Sequence, residues 1–506
     1  MHRLAVQRAF ASRVGHIRTA AHLQSALLGS RLRIGTSVYV VATRGMGTKR
    51  EKITPPTTIE EAEKKLYENE TVSELIKLGP GINLQHHINT VASHSLNEDR
   101  IAHSILNDRI YYACIDGHGG AGVSIVLSDT LIPRVDEALQ KLGPEKIKDD
   151  KEVKGAIQEA FHSLDCDIVL EPLMILQRGM QNLNRTPKEA KEIDMAFKLA
   201  MMGGCVVLAI LDPHHNRLHI ATTGNSRATM GTWNSESRLW DVSQLSEDQT
   251  SLNPKEAMRY AVSLLYPPAQ CLISYRILFA NRPLEMLEIP ENALTPGLGP
   301  SRAFGDAMFK WPWDLLHGVS IIYPIPHKLI PEARTSLYLT ARPEVSSREI
   351  VPKDALEQGM RRFVVLGTDE LYRCFSNAEI VGLVGGSLQT ERPKHDMTRE
   401  AVEAKTQLAA HPEGTYFADP GYGGKFRFIF KDQNLATHLI RNSIAGSHFI
   451  LLNYVLGLPK KLSRQYRGHT SVIVIDIQAT SQYGKPLAEE PDTPSDLRSK
   501  FEAAAA

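Results

Sequence analysis

No run of 18 apolar residues occurs in the 506-residue chain, so no segment has the length and character of a membrane-crossing helix. Cysteine is scarce. Cys114, Cys166, Cys205, Cys271 and Cys374 are odd in number, widely spaced and without a Cys-x-x-Cys pair. That argues against a disulfide scaffold or a cysteine zinc site, and reads as free thiols of a reducing compartment. Residues 1–50 lack Asp and Glu altogether. They carry Arg3, Arg8, Arg13, Arg18, Arg31, Arg33, Arg44, Arg50 and Lys49, spaced by Ala, Ser and Leu. An acid-free, Arg-rich leader is the composition of a mitochondrial transit peptide. The competing reading, a basic tail for nucleic acid, usually shows denser Lys and no interspersed Leu and Val. The first acid, Glu51, marks the boundary and implies a mitochondrial protein, most simply of the matrix. Beyond the leader, 49 basic residues face 57 acidic ones, a net charge of −8. Such a chain is a poor nucleic-acid binder.

What is present concentrates at residues 111–120, Tyr-Tyr-Ala-Cys-Ile-Asp-Gly-His-Gly-Gly. Tyr111 to Ile115 has the bulk and length of a buried strand. It ends on the carboxylate Asp116, and Gly117, Gly119 and Gly120 then let backbone come close to whatever that carboxylate holds. His118 adds a group that exchanges a proton near neutral pH. The combination suggests a hard-cation site with a proton donor beside it. Gly117-x-Gly119-x-x-Gly122 also matches a dinucleotide fingerprint, but Asp116 would repel a pyrophosphate and the next convincing strand, Cys205–Leu211, comes too late for a βαβ unit. An ordinary Asp-Gly turn accounts for only two residues of the string.

Two further acidic segments stand in similar settings. Asn97-Glu98-Asp99-Arg100 leads into the Tyr111 strand as the other side of a hairpin. Arg362 to Gly367 is an apolar β-type run that passes through Thr368 to Asp369, followed by a helix from Ala378 to Val384 with an Asn or Ser cap. Cys205–Leu211 and Arg217–Thr222 flank the turn Asp212-Pro213-His214-His215-Asn216, another hairpin. His214-His215 has the composition of a metal pair but the setting of solvated turn histidines.

With these motifs in order, the chain resembles the metal-dependent PP2C (PPM) protein serine/threonine phosphatases. The matching strings are Asn97 to Arg100, Ile115 to Gly120, Gly204 to Val207, Thr223 to Ala228, Leu245 to Thr250, Ser301-Arg302-Ala303-Phe304-Gly305-Asp306, Leu366 to Asp369 and Tyr466 to Val474. They span about residues 85–477. The stretches Phe309 to Pro312 and Leu435 to Asn442 resemble the mitochondrial branch of pyruvate dehydrogenase phosphatases, in its fungal form. The resemblance implies an α+β fold, a β-sandwich of two antiparallel sheets flanked by helices. It implies two Mg²⁺ or Mn²⁺ ions, with Asp116 bridging both, the Gly117 carbonyl on one and Asp369 on the other. Glu98 and Asp99 would steady metal-bound water, Glu98 on the metal side and Asp99 in catalysis. Water of lowered pKa would attack phosphorus in line, and His118 would protonate the leaving serine or threonine oxygen. His94 stands where many members place a phosphate-binding Arg and is the candidate for the substrate phosphate. The implied partner is a phosphoprotein, with the pyruvate dehydrogenase E1 subunit as its mitochondrial example.

The chain departs from the family pattern at several positions. Gly468 stands where a metal-binding Asp is usual, with His469 as a substitute of softer character; Asn225 replaces Asp in Gly-Asp-Ser-Arg; and Glu370 replaces a Gly after Asp369, where it either reshapes the turn or supplies a replacement oxygen. Two readings follow: an active or attenuated phosphatase, or a PP2C-shaped pseudophosphatase that binds phosphoproteins as a regulatory module.

The remaining sequence suggests the organisation. Residues 51–84 read as a helical lead-in, with Thr58-x-x-Glu61 as a capping box and an amphipathic stretch running to Leu78. Helices are expected at Gly122–Leu142, Glu152–Cys166 and Lys188–Met201, with Asn182–Pro187 as a loop. The domain at 85–477 would carry insertions near 255–296 and 385–430. The polar segment 478–506 reads as a mobile tail.

Overall fold

The computed structural model describes residues 58–79, 81–93, 96–180, 187–250, 252–265, 299–311, 339–352, 360–389, 392–408, 427–464 and 466–479. The leader at 1–50, His94, Cys271, the loop at 181–186, most of the 255–296 segment, residues 409–426 and the tail beyond 479 lie outside the described residues.

Two sheets form the centre. The first runs β1 (Thr71–Val72), β3 (Ile82–Val91), β14 (Thr470–Ala479), β12 (Met360–Gly367), β8 (Arg227–Asn234), β9 (Leu239–Gln244) and β13 (Thr406–Leu408), with β2 (Ile76–Gly79) also on β3. The second runs β11 (Glu344–Glu349), β7 (Arg217–Thr223), β6 (Gly203–Asp212), β5 (Arg109–His118) and β4 (Arg100–Leu106), with the short β10 (Phe304–Gly305) on β6. Every pairing is antiparallel except β13 on β9. The fold is α+β, as the motifs imply. Both hairpins expected from sequence, β4–β5 and β6–β7, are formed.

Side-chain alternation sorts the core into layers. On β5, Ile110, Tyr112 and Cys114 join Val207, Ala209, Val364, Leu366, Ile473 and Ile475 between the sheets. Tyr111, Ala113 and Ile115 point the other way, onto Val123, Leu127, Leu131 and Phe161 of the helices α2 (Gly122–Gln140) and α3 (Asp150–Met180). The first sheet turns Phe363, Val365, Val472 and Val474 onto α7 (Asn377–Ser387), α8 (Leu435–Ile444) and α9 (Phe449–Gly457). The remaining labelled helices are α1 (Ile59–Tyr67), α4 (Pro187–Met201), α5 (Pro254–Leu265) and α6 (Asp369–Cys374). Strands with bulky residues on both faces need helices outside each sheet, and this sandwich has them.

Local signals act where they were legible. Thr58 and Glu61 close a reciprocal capping box on α1, and Ser376 with Glu379 does the same on α7. The lead-in is corrected, however. The helix stops at Tyr67, and Thr71–Val72 and Ile76–Gly79 are strands on the edge of β3. Pairing with β3 overrides the charge periodicity that suggested a helix as far as Leu78. Helix α3 also runs 14 residues beyond Cys166, to Met180. In the 255–296 segment, Pro254–Leu265 is helical and carries a buried Glu256. Among the described residues no helix is long and apolar enough to cross a membrane.

Candidate metal and phosphate site

Asp116 continues the inward phase of Ile110, Tyr112 and Cys114, so its carboxylate emerges between the sheets at one end of β5. Strand register brings the other acids to the same end. Arg100 lies opposite Ile115, which places Glu98 and Asp99 beside Asp116. Gly367 lies between Val472 and Arg227 at the last rung of β12, and Asp369 follows at the start of α6. The backbone around the acids is pinned by hydrogen bonds. Thr368 N–H donates to the Ser471 carbonyl at 3.1 Å, and Ser471 N–H donates to Thr368 Oγ1 at 3.1 Å. Arg100 Nη1 donates to the carbonyls of Asn97 and Asp99 at 2.6 and 2.7 Å.

The carboxylates interact directly. Asp116 lies against the backbone and side chain of Asp369. Burial and then the charges of Asp369 and Asp99 hold Asp116 well above the usual carboxylate range. Asp99 is 1% exposed. Burial pushes it up to about 7, with repulsion from Asp369 and Glu98, although the hydroxyls of Ser471 and Thr368 pull the other way. Its Oδ2 is buried without a hydrogen-bond partner. Asn225 Nδ2 donates to Asp369 Oδ2 at 3.3 Å, so the Asn that replaces an Asp here serves as a donor.

These residues fit hard divalent cations. The charges of Glu98 and Asp369 reach Asp99, those of Asp99 and Asp369 reach Asp116, and the orphaned buried carboxylate oxygen of Asp99 is costly without a cation. Among the described residues no three His, Cys, Asp or Glu side chains are spaced as a ready-made ligand set. Asp116 and Asp369 are instead set against each other, with Asn225 donating to Asp369.

His118 sits at the rim. Its Nε2 is 2.7 Å from Asp306 Oδ2. Burial alone would lower its pKa, but the hydrogen bond and charge of Asp306, helped by Glu98 and Asp369, raise it overall. Asp306 is the residue that sequence reading left without a role; the Ser-Arg-Ala-Phe-Gly-Asp string was its signal. Close approach requires Gly203 opposite, because a Cβ there would stand 2.0 Å from His118 Nε2 and 2.3 Å from Asp306 Oδ2.

A second missed pair anchors this loop. Lys310 Nζ donates to both Asp165 oxygens at 2.7 and 2.6 Å and to the Ala303 carbonyl at 2.8 Å. Asp165 Oδ1 also accepts Gly305 N–H at 2.8 Å. Buried and paired, Asp165 ties α3 to the segment carrying Asp306.

The other departures and candidates also have definite places. His469 Nδ1 accepts Ser93 N–H at 3.1 Å, which puts the proton of a neutral ring on Nε2, 3.9 Å from Glu98 Oε2. The Gly468 backbone lies against the Glu370 carboxylate. His214 and His215 lie apart from the site, His215 Nδ1 at 2.9 Å from Asp212 and the exposed His214 beside Asp108. Cys114 and Cys205 are buried free thiols, and Cys166 and Cys374 are free and partly buried.

Comparison with known proteins gives a consistent result. The family model described as Protein phosphatase 2C matches residues 85–411. A protein phosphatase 2C homolog of Schizosaccharomyces pombe is 30% identical over 443 residues, covering 83% of this chain and 86% of its own length. The mitochondrial pyruvate dehydrogenase (acetyl-transferring) phosphatase 1 of Saccharomyces cerevisiae is 26% identical and covers 81% of this chain and 71% of its own. The human protein of the same description is 29% identical over 65% of this chain, which spans only 56% of that relative's length. Among solved structures, a serine-threonine phosphatase 2C from Toxoplasma gondii matches with a TM-score of 0.42 at 15% identity, covering 80% of this chain and 99% of that one. With a family model over more than half its length and a relative at 30% identity along most of both chains, this chain belongs to the protein phosphatase 2C family of serine/threonine phosphatases.

Proposed function

We propose that this phosphatase acts in the mitochondrial matrix on a phosphoprotein, with the E1 subunit of the pyruvate dehydrogenase complex as the substrate to test first. The yeast and human relatives, described as pyruvate dehydrogenase phosphatases, support the substrate class, and the acid-free, Arg-rich residues 1–50 support the compartment. The catalytic unit is taken as residues 85–477, preceded by the lead-in 51–84 and followed by the tail 478–506.

What supports the reading is that Glu98, Asp99, Asp116 and Asp369 act on one another through their charges next to the His118–Asp306 pair. Asp116, the Gly117 carbonyl and Asp369 would hold Mg²⁺ or Mn²⁺, with Glu98 and Asp99 in support. When bound, the cations supply charge neutralisation for phosphoryl oxygens and a water of lowered pKa. The protein supplies the rest. Asp306 fixes His118 through Nε2, leaving Nδ1 to deliver a proton to the departing serine or threonine oxygen. The buried clasp of Thr368 and Ser471 keeps Asp99 and Asp369 in fixed relation. His94, outside the described residues, is the candidate to face the substrate phosphate.

One observation favours a second reading. Gly468 offers no side chain where the family pattern has a carboxylate, which fits a pseudophosphatase that binds without turnover. Phosphopeptide hydrolysis by the purified chain with Mg²⁺ or Mn²⁺, against an Asp116→Asn control, separates the two. Turnover abolished by the substitution supports the enzyme. Absence of turnover in the parent, with phosphopeptide binding retained, supports the binding module.

A further inference from the structure

We infer that Glu370 is a cation-binding carboxylate of this chain and that Gly468 is the space that admits it, an inference that rests on the metal-dependent reading of the site. A Cβ built on Gly468 would stand 2.8 Å from Glu370 Oε2, 3.1 Å from its carboxyl carbon and 3.3 Å from its Cβ. The Glu370 side chain therefore fills the volume that a side chain at 468 would enter. The Gly468 backbone lies directly against the Glu370 carboxylate. A carboxylate missing from one backbone segment is thus returned from another, at nearly the same place.

Position and charge point the same way. Glu370 follows Asp369 directly, its side chain is 15% exposed, and the neighbouring Asp369 charge repels it. The basic groups nearby neutralise it weakly. Arg373 is 3.5 Å away and itself 69% exposed, a geometry that gives little in water. Arg467 spends its guanidinium on the carbonyls of Val91 and Ala92, at 3.2 and 2.5 Å. A second observation concerns the acids around Asp369, to which Glu370 is joined in the chain. Asp99, in the same carboxylate group, is almost fully buried with an Oδ2 that has no partner. His469 is the other residue able to compensate for Gly468, but its Nδ1 is committed to Ser93 N–H and its Nε2 faces Glu98. It stays with Glu98 and leaves the position beside Asp369 to Glu370. A carboxylate also suits Mg²⁺ or Mn²⁺ better than an imidazole does.

The test is Mn²⁺ titration of the full chain by calorimetry, with four variants beside the parent. Glu370→Gln keeps the shape and removes the charge; it should weaken one Mn²⁺ equivalent by about 10-fold or more. Glu370→Gly should do the same. The exchange Glu370→Gly with Gly468→Asp should restore affinity to within about 3-fold of the parent, because it moves the carboxylate back across the same gap. Asp116→Asn should abolish tight binding. If Asp116→Asn abolishes binding while Glu370→Gln binds Mn²⁺ as the parent does, the role of Glu370 is overturned and the metal site stands. If neither substitution alters Mn²⁺ binding, the metal-dependent reading itself fails.

Discussion

Acids in and around the core of this protein come in two kinds, buried ones such as Asp165 and a partly exposed group at the strand ends in which Asp116 and Asp369 join the buried Asp99. Away from the strand ends, each is matched with a cation. Asp248 takes Arg227 Nε and Nη2 at 2.7 and 2.5 Å, Glu256 takes Arg302, Asp432 takes Arg441 and Asp165 takes Lys310. At the strand ends, Asp99, Asp116 and Asp369 face one another, and Asp116 is held well above the ordinary carboxylate range by burial and by its acidic neighbours. A fold that pairs its structural acids so consistently has left this group to be neutralised from outside. The paired acids hold the scaffold, and the unpaired ones define the place where charge must be supplied.

The comparison can be broken most sharply at its centre. Asp116→Asn should lower phosphopeptide turnover by roughly 10³-fold or more, read as kcat with saturating Mn²⁺. The same substitution should raise the melting temperature in EDTA by roughly 2–4 °C, since it relieves repulsion among buried acids. On the paired side the sign reverses. Arg227→Met strands a buried Asp248, removes the contact over the Tyr372 ring and should cost about 3–5 kcal/mol, read by denaturant unfolding.

A smaller effect tests the bridge between the two groups. Asp306→Asn should cut kcat by about 10–100-fold. Asp306 raises the pKa of His118, so its loss lets the imidazole deprotonate at lower pH. The basic limb of the pH–rate profile should therefore move to lower pH, and an unmoved limb would separate His118 from proton delivery.

The smallest effect concerns stability without metal. An acid whose folded pKa is raised binds more protons folded than unfolded between its two pKa values. Asp99, raised to about 7, therefore makes EDTA-treated protein lose stability as pH rises from about 4 to about 7. Melting curves across that window should show a shallower decline in Asp99→Asn, and Mn²⁺ should flatten the decline in the parent.

Much of the candidate site was legible in the sequence because it lies at the ends of strands that announce themselves. Tyr111 to Ile115 and Arg362 to Leu366 are dense in apolar residues, and each delivers its acid within three residues of its end. Hairpin registry then brings Glu98 and Asp99 to Asp116 from nearby in the chain. What could not be read was pairing across distance. His118 meets Asp306 across 188 residues, and Lys310 meets Asp165 across 145. No local periodicity encodes such meetings. Read alone, Gly468 was a loss and Glu370 either a reshaped turn or a replacement oxygen; their contact is what favours the second. The lead-in failed for a related reason, since Thr71–Val72 becomes a strand only when β3 is beside it.

Anomalous diffraction at the manganese edge, from crystals of the full chain grown with Mn²⁺, tests the central claim most directly. Density between Asp116 and Asp369, with Glu98 and Asp99 around it, is the result expected. No anomalous peak among these carboxylates at millimolar Mn²⁺ would contradict it.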